Sequence, residues 1–593
     1  MRSNAHRYRI ALSDLHGHVL SVTLTIAQPA AEGQCLALPA WIPGSYMIRE
    51  FARHVQTVSA RDARGALRIE KVDKHTWRTA PARGPLVVEY SVYAWDLSVR
   101  AAHIDATHAF INPSSVCLRV VGQEDLPCEV ELLPPPAEVA TGWKVATTLP
   151  EAGVRRGRFG RYRAADYDAL IDHPIEMGRF ASVNFEVAGV PHRLVVTGAP
   201  DADLERIAAD LTRVCTAQVR LFEPQSEAAP FERYLFLVTA LGEGYGGLEH
   251  RDSTALLCAR SDLPARGVAQ APEGYRNFLG LASHEYFHAW HVKRIKPAAF
   301  VRYDLDREVY TRLLWIFEGF TSYYDDLMLV RAGLISPQDY LTLLARTISQ
   351  VERGPGQRMQ SVAESSFDAW IKYYRQDENS PNAIVSYYAK GALVALAIDL
   401  SLRARTDGRR SLDDVMRRLW ADYGRDFYRP GAVQKGLAED AFPALLHAAT
   451  GVDLDASLRR WVEGTEALPL ARLLKPMGVS LNLAAADPLP SLGAKLVTRG
   501  ADLCLATAYR GGAAHRAGLS AGDVLVAIDG LRIDERSLKT LLARRAAGDR
   551  IEVHAFRRDV LSVCTLELDA PPATEARLTL ADAPPRALRD WLS

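Results

Sequence analysis

The amino-acid sequence predicts a multidomain α+β protein, and three observations carry the prediction. At 593 residues the chain exceeds what one hydrophobic core can organise. Residues 1–190 alternate apolar and polar side chains with period two, the pattern of half-buried antiparallel sheet. From Asp201 the pattern changes to helical spacing, then a strand and a Gly-rich turn; beyond the helix at 275–295 it is mostly helical to about residue 470, and from about residue 476 alternation returns around one short helix.

The elements follow in order. His18 to Ile26 and Leu86 to Tyr93 read as strands. Between them, Leu38-Pro39-Ala40-Trp41-Ile42-Pro43-Gly44-Ser45-Tyr46 reads as a loop, because proline cannot donate to a strand ladder. Leu204, Ile207, Ala208, Leu211, Val214 and Cys215 share one helical face. Tyr234 to Ala240 reads as a strand, and Gly242 to His250 as a Gly-rich turn. Tyr275 to Ile295 reads as a helix, with Phe278, Leu279, Leu281, Ala282, Phe287, Trp290 and Val292 apolar. Ser336 before Pro337 and Ser411 before Leu412 are helix starts, each with a hydroxyl cap. Pro571-Pro572 and Pro584-Pro585 punctuate a segment, 571–593, expected to be a loosely packed tail.

Composition narrows the function. Lys plus Arg and Asp plus Glu are both 71, so no global field favours nucleic acid or an anionic membrane. The seven cysteines are odd in number and form no C-x-x-C, which points to free thiols in a reducing compartment. The first twenty residues lack the apolar core of a signal peptide, and no run of 18 apolar residues exists. A soluble, cytoplasmic protein is the expectation.

His284-Glu285-Tyr286-Phe287-His288 is an H-E-x-x-H motif on a predicted helix. Histidines four apart lie on one helical face and can grip one metal ion. The intervening glutamate lies about 100° around the axis from the first histidine, so it can reach a water on that ion without binding the ion itself. Catalytic zinc usually takes three protein ligands, so a third is needed. Glu318 is a charged residue within the apolar, aromatic run Trp315 to Tyr324. It is either a metal ligand or a salt-bridged or surface glutamate.

Three separated segments then add up to a resemblance. HEYFHAWHVKRIKP from His284 to Pro297, WIFEGFTSYY from Trp315 to Tyr324, and GGLEH from Gly246 to His250 resemble the glycyl aminopeptidase family of zinc metallopeptidases, gluzincins related to aminopeptidase N. Pro39 to Tyr46 and a PDZ-like C-terminal segment are also similar to this family, so the resemblance covers nearly the whole chain. It implies an N-terminal β-sandwich-like domain (1–190), a thermolysin-like zinc catalytic domain (191–335), an α-helical domain (336–472), a PDZ-like domain (476–570) and a C-terminal tail (571–593).

The resemblance implies that His284, His288 and Glu318 bind one catalytic zinc ion and that Glu285 is the general base. In the relatives the third ligand stands nearer the second histidine; here 318 − 288 = 30 positions intervene, and Pro297 to Glu308 read as an insertion. His291 stands where asparagine is expected, as a group behind the ligands. In Tyr388-Ala389-Lys390-Gly391, the Tyr388 phenol is implied as the transition-state donor, with Tyr387 as the fallback; from the residue alone, a core tyrosine is the other reading. Glu249 is implied as the anchor for a free N-terminal ammonium, with Gly246 and Gly247 letting backbone approach the substrate; a solvent-exposed loop glutamate is the other reading. Preference for N-terminal glycine, with alanine tolerated, is implied too, and Tyr245, Phe320 and Tyr324 are candidates to line a narrow pocket.

Gly512 to Gly530 looks like the later half of a PDZ signature, with its carboxylate-binding loop expected near Ser491-Leu492-Gly493-Ala494. The module either captures a C-terminal peptide or is a structural appendage. Three functions therefore stand: an aminopeptidase acting on peptides with a free N-terminus, a PDZ-guided zinc endopeptidase, and a non-catalytic peptide-binding scaffold.

Overall fold

The computed structural model describes residues 4–593. They form two compact units: the residues up to Tyr310 with Leu419–Ala438, and Thr311–Arg418 with Glu439–Ser593.

The first unit opens with a seven-stranded sheet, in the order Gly160–Ala164, Cys128–Leu132, His6–Asp14, Val19–Ile26, Leu86–Tyr93, Val55–Asp62, Gly65–Leu67. The two strands read from alternation pair antiparallel with Val22 opposite Tyr90, and Leu20, Leu24, Leu86 and Val88 on their inner face are fully buried. A four-stranded sheet beside it contains Lys144–Ala146, Ile175–Gly178, His108–Ile111 and Ala102–Ile104.

A five-stranded mixed sheet then begins at Ala181. Its order is Ala181–Val187, Val190–Thr197, Tyr234–Leu241, Ser253–Ala259, Tyr245–Glu249. The hairpin Ala181–Thr197 belongs to this sheet, pairing through Val190–Thr197 with Tyr234–Leu241. Tyr234–Leu241 and Ser253–Ala259, parallel to each other inside the sheet, are mostly apolar and largely buried, as expected of strands covered on both faces. Helix Leu204–Phe222 packs on the sheet and on helix Tyr275–Phe287. Two local readings change. The Gly-rich stretch contains a strand, Tyr245–Glu249, because its glycines still supply the amides and carbonyls that pair with Ser253–Ala259. The motif helix stops at Phe287 rather than Ile295; a compact turn, in which the Ile295 amide donates to the Trp290 carbonyl, buries Trp290 and Val292 instead.

In the second unit, helices Leu314–Arg331, Pro337–Arg353 and Ala389–Arg405 form the centre. Ser336 and Asp339 build a reciprocal capping box at the predicted start. The C-terminal sheet contains Ala494–Arg499, Asp502–Ala508, Val524–Ile528, Leu531–Arg532, Arg550–Arg557 and Val560–Glu567, around a core of Leu503, Leu505, Leu525, Ile551, Val553 and Leu566. Asn382 ties it to the helices, donating to the Ala508 carbonyl at 2.9 Å and accepting from the Arg510 amide at 2.8 Å.

The end of the chain is not a loose tail. Ala573–Leu580 pairs antiparallel with Val479–Ala485, and helix Arg586–Leu592 buries Trp591, whose indole N–H donates to the Tyr323 hydroxyl at 2.9 Å. The proline pairs mark the entries of these two elements, where a missing N–H costs little.

Candidate active site

The motif helix is fixed in rotation by contacts on its far side. The Gln218 amide donates to both the Ser283 carbonyl and hydroxyl at 2.8 Å, the Tyr286 hydroxyl meets His192 Nε2 at 3.0 Å, and just beyond the helix Trp290 stacks on Phe222 with ring centres 5.0 Å apart. Those constraints leave His284, Glu285 and His288 facing away from that packing. The two imidazoles stand 4.7 Å apart, nearly perpendicular.

His288 Nδ1–H donates to the His291 carbonyl at 2.6 Å. A carbonyl can only accept, so the proton sits on Nδ1 and Nε2 is the unprotonated nitrogen. His291 thus contacts His288 through its backbone carbonyl.

Glu285 is buried, and its carboxylate occupies the space that a side chain at Gly247 would need: a Cβ there would stand 2.2 Å from Oε1. Gly246 is different, since a Cβ at that position meets nothing within 4 Å. Of the two glycines singled out in the sequence, Gly247 is the one required by close packing.

Glu249 ends the edge strand, opposite Thr254, and is only 3% exposed. Its Oε1 is sealed from solvent and has no hydrogen-bond partner. The ligand atoms of Glu249, Glu285 and His288 all lie within 4.8 Å of one another, a span that a cation can bridge. Gly44 closes on the same carboxylate: a Cβ there would be 2.5 Å from Oε1 and 2.6 Å from Oε2, and φ is +95°, a conformation that favours glycine. The loop bearing Gly44 is held by the segment read as an insertion. The Trp41 indole N–H donates to the Asp304 carbonyl and the Ala40 amide to the Leu305 carbonyl, both at 2.8 Å. Arg100 donates to the Gly247 carbonyl at 3.2 Å.

A buried charge cluster backs this strand. Lys293 Nζ stands 2.7 Å from Asp172. Burial alone would raise the Asp172 pKa, but Lys293, His250 and Arg251 hold it well below the usual carboxylate range. Burial works against the Lys293 ammonium; Asp172 and then Glu249 outweigh it and raise its pKa.

In the second unit, Glu318 is buried on helix Leu314–Arg331. The next residue, Gly319, touches helix Ala389–Arg405 backbone to backbone: a Cβ would lie 2.6 Å from the Gly391 Cα and 3.0 Å from the Tyr387 carbonyl. This crossing brings a tyrosine group beside the carboxylate. Burial, then Tyr374 and Glu318, push the Tyr387 pKa well above its ordinary value. The Tyr388 hydroxyl is half-buried and shares a 3.1 Å hydrogen bond with that of Tyr374. Lys390 turns away and donates to the Gln357 carbonyl at 3.2 Å. Phe320 packs against Trp315 and Phe442, and Tyr324 donates to Asp413 at 2.7 Å; both are fully buried, whereas Tyr245 is 66% exposed.

Comparison with known proteins places the chain. Residues 7–179 match the Peptidase M61 N-terminal domain, and residues 277–394 match the M61 glycyl aminopeptidase model. A solved aminopeptidase N family protein from Idiomarina loihiensis is 43% identical over 99% of this chain and 100% of its own, with a TM-score of 0.93. The chain belongs to the M61 glycyl aminopeptidase family. A variant of an M1 zinc metallopeptidase from Deinococcus radiodurans is 15% identical over 79% of this chain and 95% of its own, with a TM-score of 0.47. No curated protein matches the chain. No helix among the described residues is long and apolar enough to cross a membrane.

Two parts of this M61 peptidase's site escaped the sequence reading. Gly44 meets Glu249 and Arg100 meets Gly247 only through tertiary folding. The one local hint was the dense Pro39-to-Tyr46 segment, which carries Trp41 and Tyr46 although loops seldom bury such residues.

Proposed function

We propose that this M61 peptidase is a zinc-dependent aminopeptidase that removes N-terminal glycine, and more slowly alanine, from peptides. The observation that carries the reading is the buried Glu249 carboxylate, one oxygen of it unpartnered, beside Glu285 and His288. A buried carboxylate oxygen with an unused lone pair is costly until a donor meets it, and the Lys293 ammonium nearby does not hydrogen-bond it. A peptide's N-terminal ammonium supplies that cation and sets the distance to the base.

His284, His288 and Glu318 form the proposed metal set. Two imidazoles on one helical face, one with its tautomer fixed, and a buried carboxylate match the His2Glu chemistry of catalytic zinc. When bound, zinc polarises the scissile carbonyl and makes water acidic enough to attack at neutral pH. Glu285 takes the proton of the attacking water and hands it to the leaving amine. The Tyr388 phenol donates to the developing oxyanion, and Tyr374 holds it in place. Gly44 and Gly247 bring backbone close to Glu249 and Glu285, which supports a shallow first pocket that larger side chains cannot enter.

The C-terminal sheet with helix Glu535–Leu542 is proposed as a PDZ-like module. Amides in its expected carboxylate loop are already used: Ser491 N–H donates to the Asp569 carbonyl at 2.9 Å and Gly493 N–H to the Ser491 hydroxyl at 3.0 Å. That favours a structural role over capture of a C-terminus.

Steady-state kinetics on Gly-, Ala- and Leu-p-nitroanilide and on an N-acetylated glycyl peptide test the proposal. Glycine should be fastest, leucine and the blocked peptide poor. Equal rates for leucine would remove the glycine preference, and cleavage of the blocked peptide would favour an endopeptidase. Glu285→Gln should keep its metal and lose hydrolysis; retained hydrolysis would show the base is another residue.

A further inference from the structure

A second cluster of ligating side chains lies on the hairpin Ala102–Ile104 and His108–Ile111, away from the motif helix in sequence and element. The ligand atoms of His103, Asp105 and His108 all lie within 4.8 Å of one another, and both histidines are buried. His103 Nε2 and Asp105 Oδ2 are 3.3 Å apart. Two ligands of a tetrahedral ion, each at ~2.05 Å, stand about 3.3 Å from each other.

Two of the three side chains are tied down at the far end. Asp105 Oδ1 accepts from the Thr107 amide and hydroxyl, both at 2.6 Å, and from the His108 amide at 3.0 Å, which leaves Oδ2 to face His103. His108 Nδ1 meets Glu176 Oε1 at 3.1 Å, and Thr197 donates to the same oxygen at 2.9 Å. This pairing leaves His108 Nε2 as the ligand atom, in the carboxylate–histidine arrangement that orients metal ligands. The His103 ring lies 4.6 Å from Trp95 and 5.0 Å from His108. Two carboxylates, Asp105 and Glu176, balance one divalent charge.

We propose that His103, Asp105 and His108 hold a zinc-class divalent cation, separate from the catalytic one, that pins this hairpin. Two imidazoles, one carboxylate and a water suit a borderline-soft tetrahedral ion. The hairpin follows directly on Arg100, which holds the Gly247 carbonyl, so the ion steadies the strand that carries Glu249. In the competing arrangement the two histidines pair with their own carboxylates and no ion binds.

The full chain is stripped with chelator, and zinc is titrated by calorimetry with elemental analysis. Wild type should take up two equivalents. His284→Ala/His288→Ala should keep one, and cobalt in its place should give the visible absorption of a tetrahedral site. His103→Ala/His108→Ala should also keep one. Asp105→Asn keeps the turn-forming Oδ1 and removes the charged ligand; it should weaken the second site at least tenfold while the zinc-free protein keeps the wild-type fold by circular dichroism. One equivalent in wild type with none in His284→Ala/His288→Ala, or unchanged uptake in both hairpin variants, would overturn the site.

Discussion

Replacing Gly247 by alanine tests the placement of the base directly. The Gly247 backbone is ordinary strand, so alanine brings no conformational strain. Its methyl would stand 2.2 Å from Glu285 Oε1 and 2.5 Å from Cδ. Restoring ordinary contact at about 3.4 Å requires a shift of about 1.2 Å. The atoms in the way are the end of a flexible side chain, so the carboxylate moves and the fold stays. A displacement near 1 Å from productive geometry costs ~100-fold in rate, or about 2.7 kcal/mol of barrier. The assay is kcat on glycyl-p-nitroanilide, with zinc content and melting temperature measured on the same preparation. We expect kcat to fall ~100-fold with metal and stability unchanged. A kcat within threefold of wild type at full zinc occupancy would refute the reasoning, because it would mean that Glu285 does not need its present position.

Further outcomes follow from the same geometry. Gly44→Ala should raise KM for free-amine peptides about tenfold by displacing the Glu249 carboxylate and straining a backbone at φ +95°, and its effect should shrink in a Glu249→Ala background; an equal KM effect in both backgrounds would show that Gly44 acts elsewhere. Tyr388→Phe should lower kcat by roughly 100- to 1,000-fold with little change in KM, whereas a change in KM alone would assign the phenol to substrate binding. Gly319→Ala inserts a methyl 2.6 Å from the Gly391 backbone, which cannot swing aside; chemical denaturation should show a loss of about 1–3 kcal/mol, and an unchanged midpoint would contradict the tight crossing. Burial lowers the Lys296 pKa to about 7 from its ordinary 10.5. Between those values the folded state binds fewer protons than the unfolded one, so this group makes stability rise with pH across that window. Lys296→Met removes the contribution, and the wild-type-minus-variant stability should climb from pH 7 to 10; a flat difference would mean that Lys296 stays charged.

What was legible in the sequence was what local spacing encodes. The i, i+4 histidines share a face because any helix puts them there, and Ser336-Pro337 starts a helix through contacts within one turn. The two alternating N-terminal strands pair with their apolar faces inward. Glycine misled where partners were distant: Gly246 and Gly247 looked like a turn but lie in a strand stabilised by Ser253–Ala259. The prolines near the C-terminus suggested looseness, yet Trp591 is fully buried against residues such as Tyr323 and Tyr340 from another part of the chain. Gly44 against Glu249 and Gly319 against Gly391 are steric facts of tertiary structure, invisible to any window of sequence.

The central claim is that His284, His288 and Glu318 together hold a divalent ion with one coordination position open. Anomalous diffraction recorded on both sides of the zinc absorption edge, from crystals grown without added metal, tests it most directly. The account predicts a zinc peak about 2.0–2.2 Å from one nitrogen of each of these two histidines and from a Glu318 oxygen. A peak bound to the imidazoles with the Glu318 carboxylate elsewhere, or no peak between them, would contradict it.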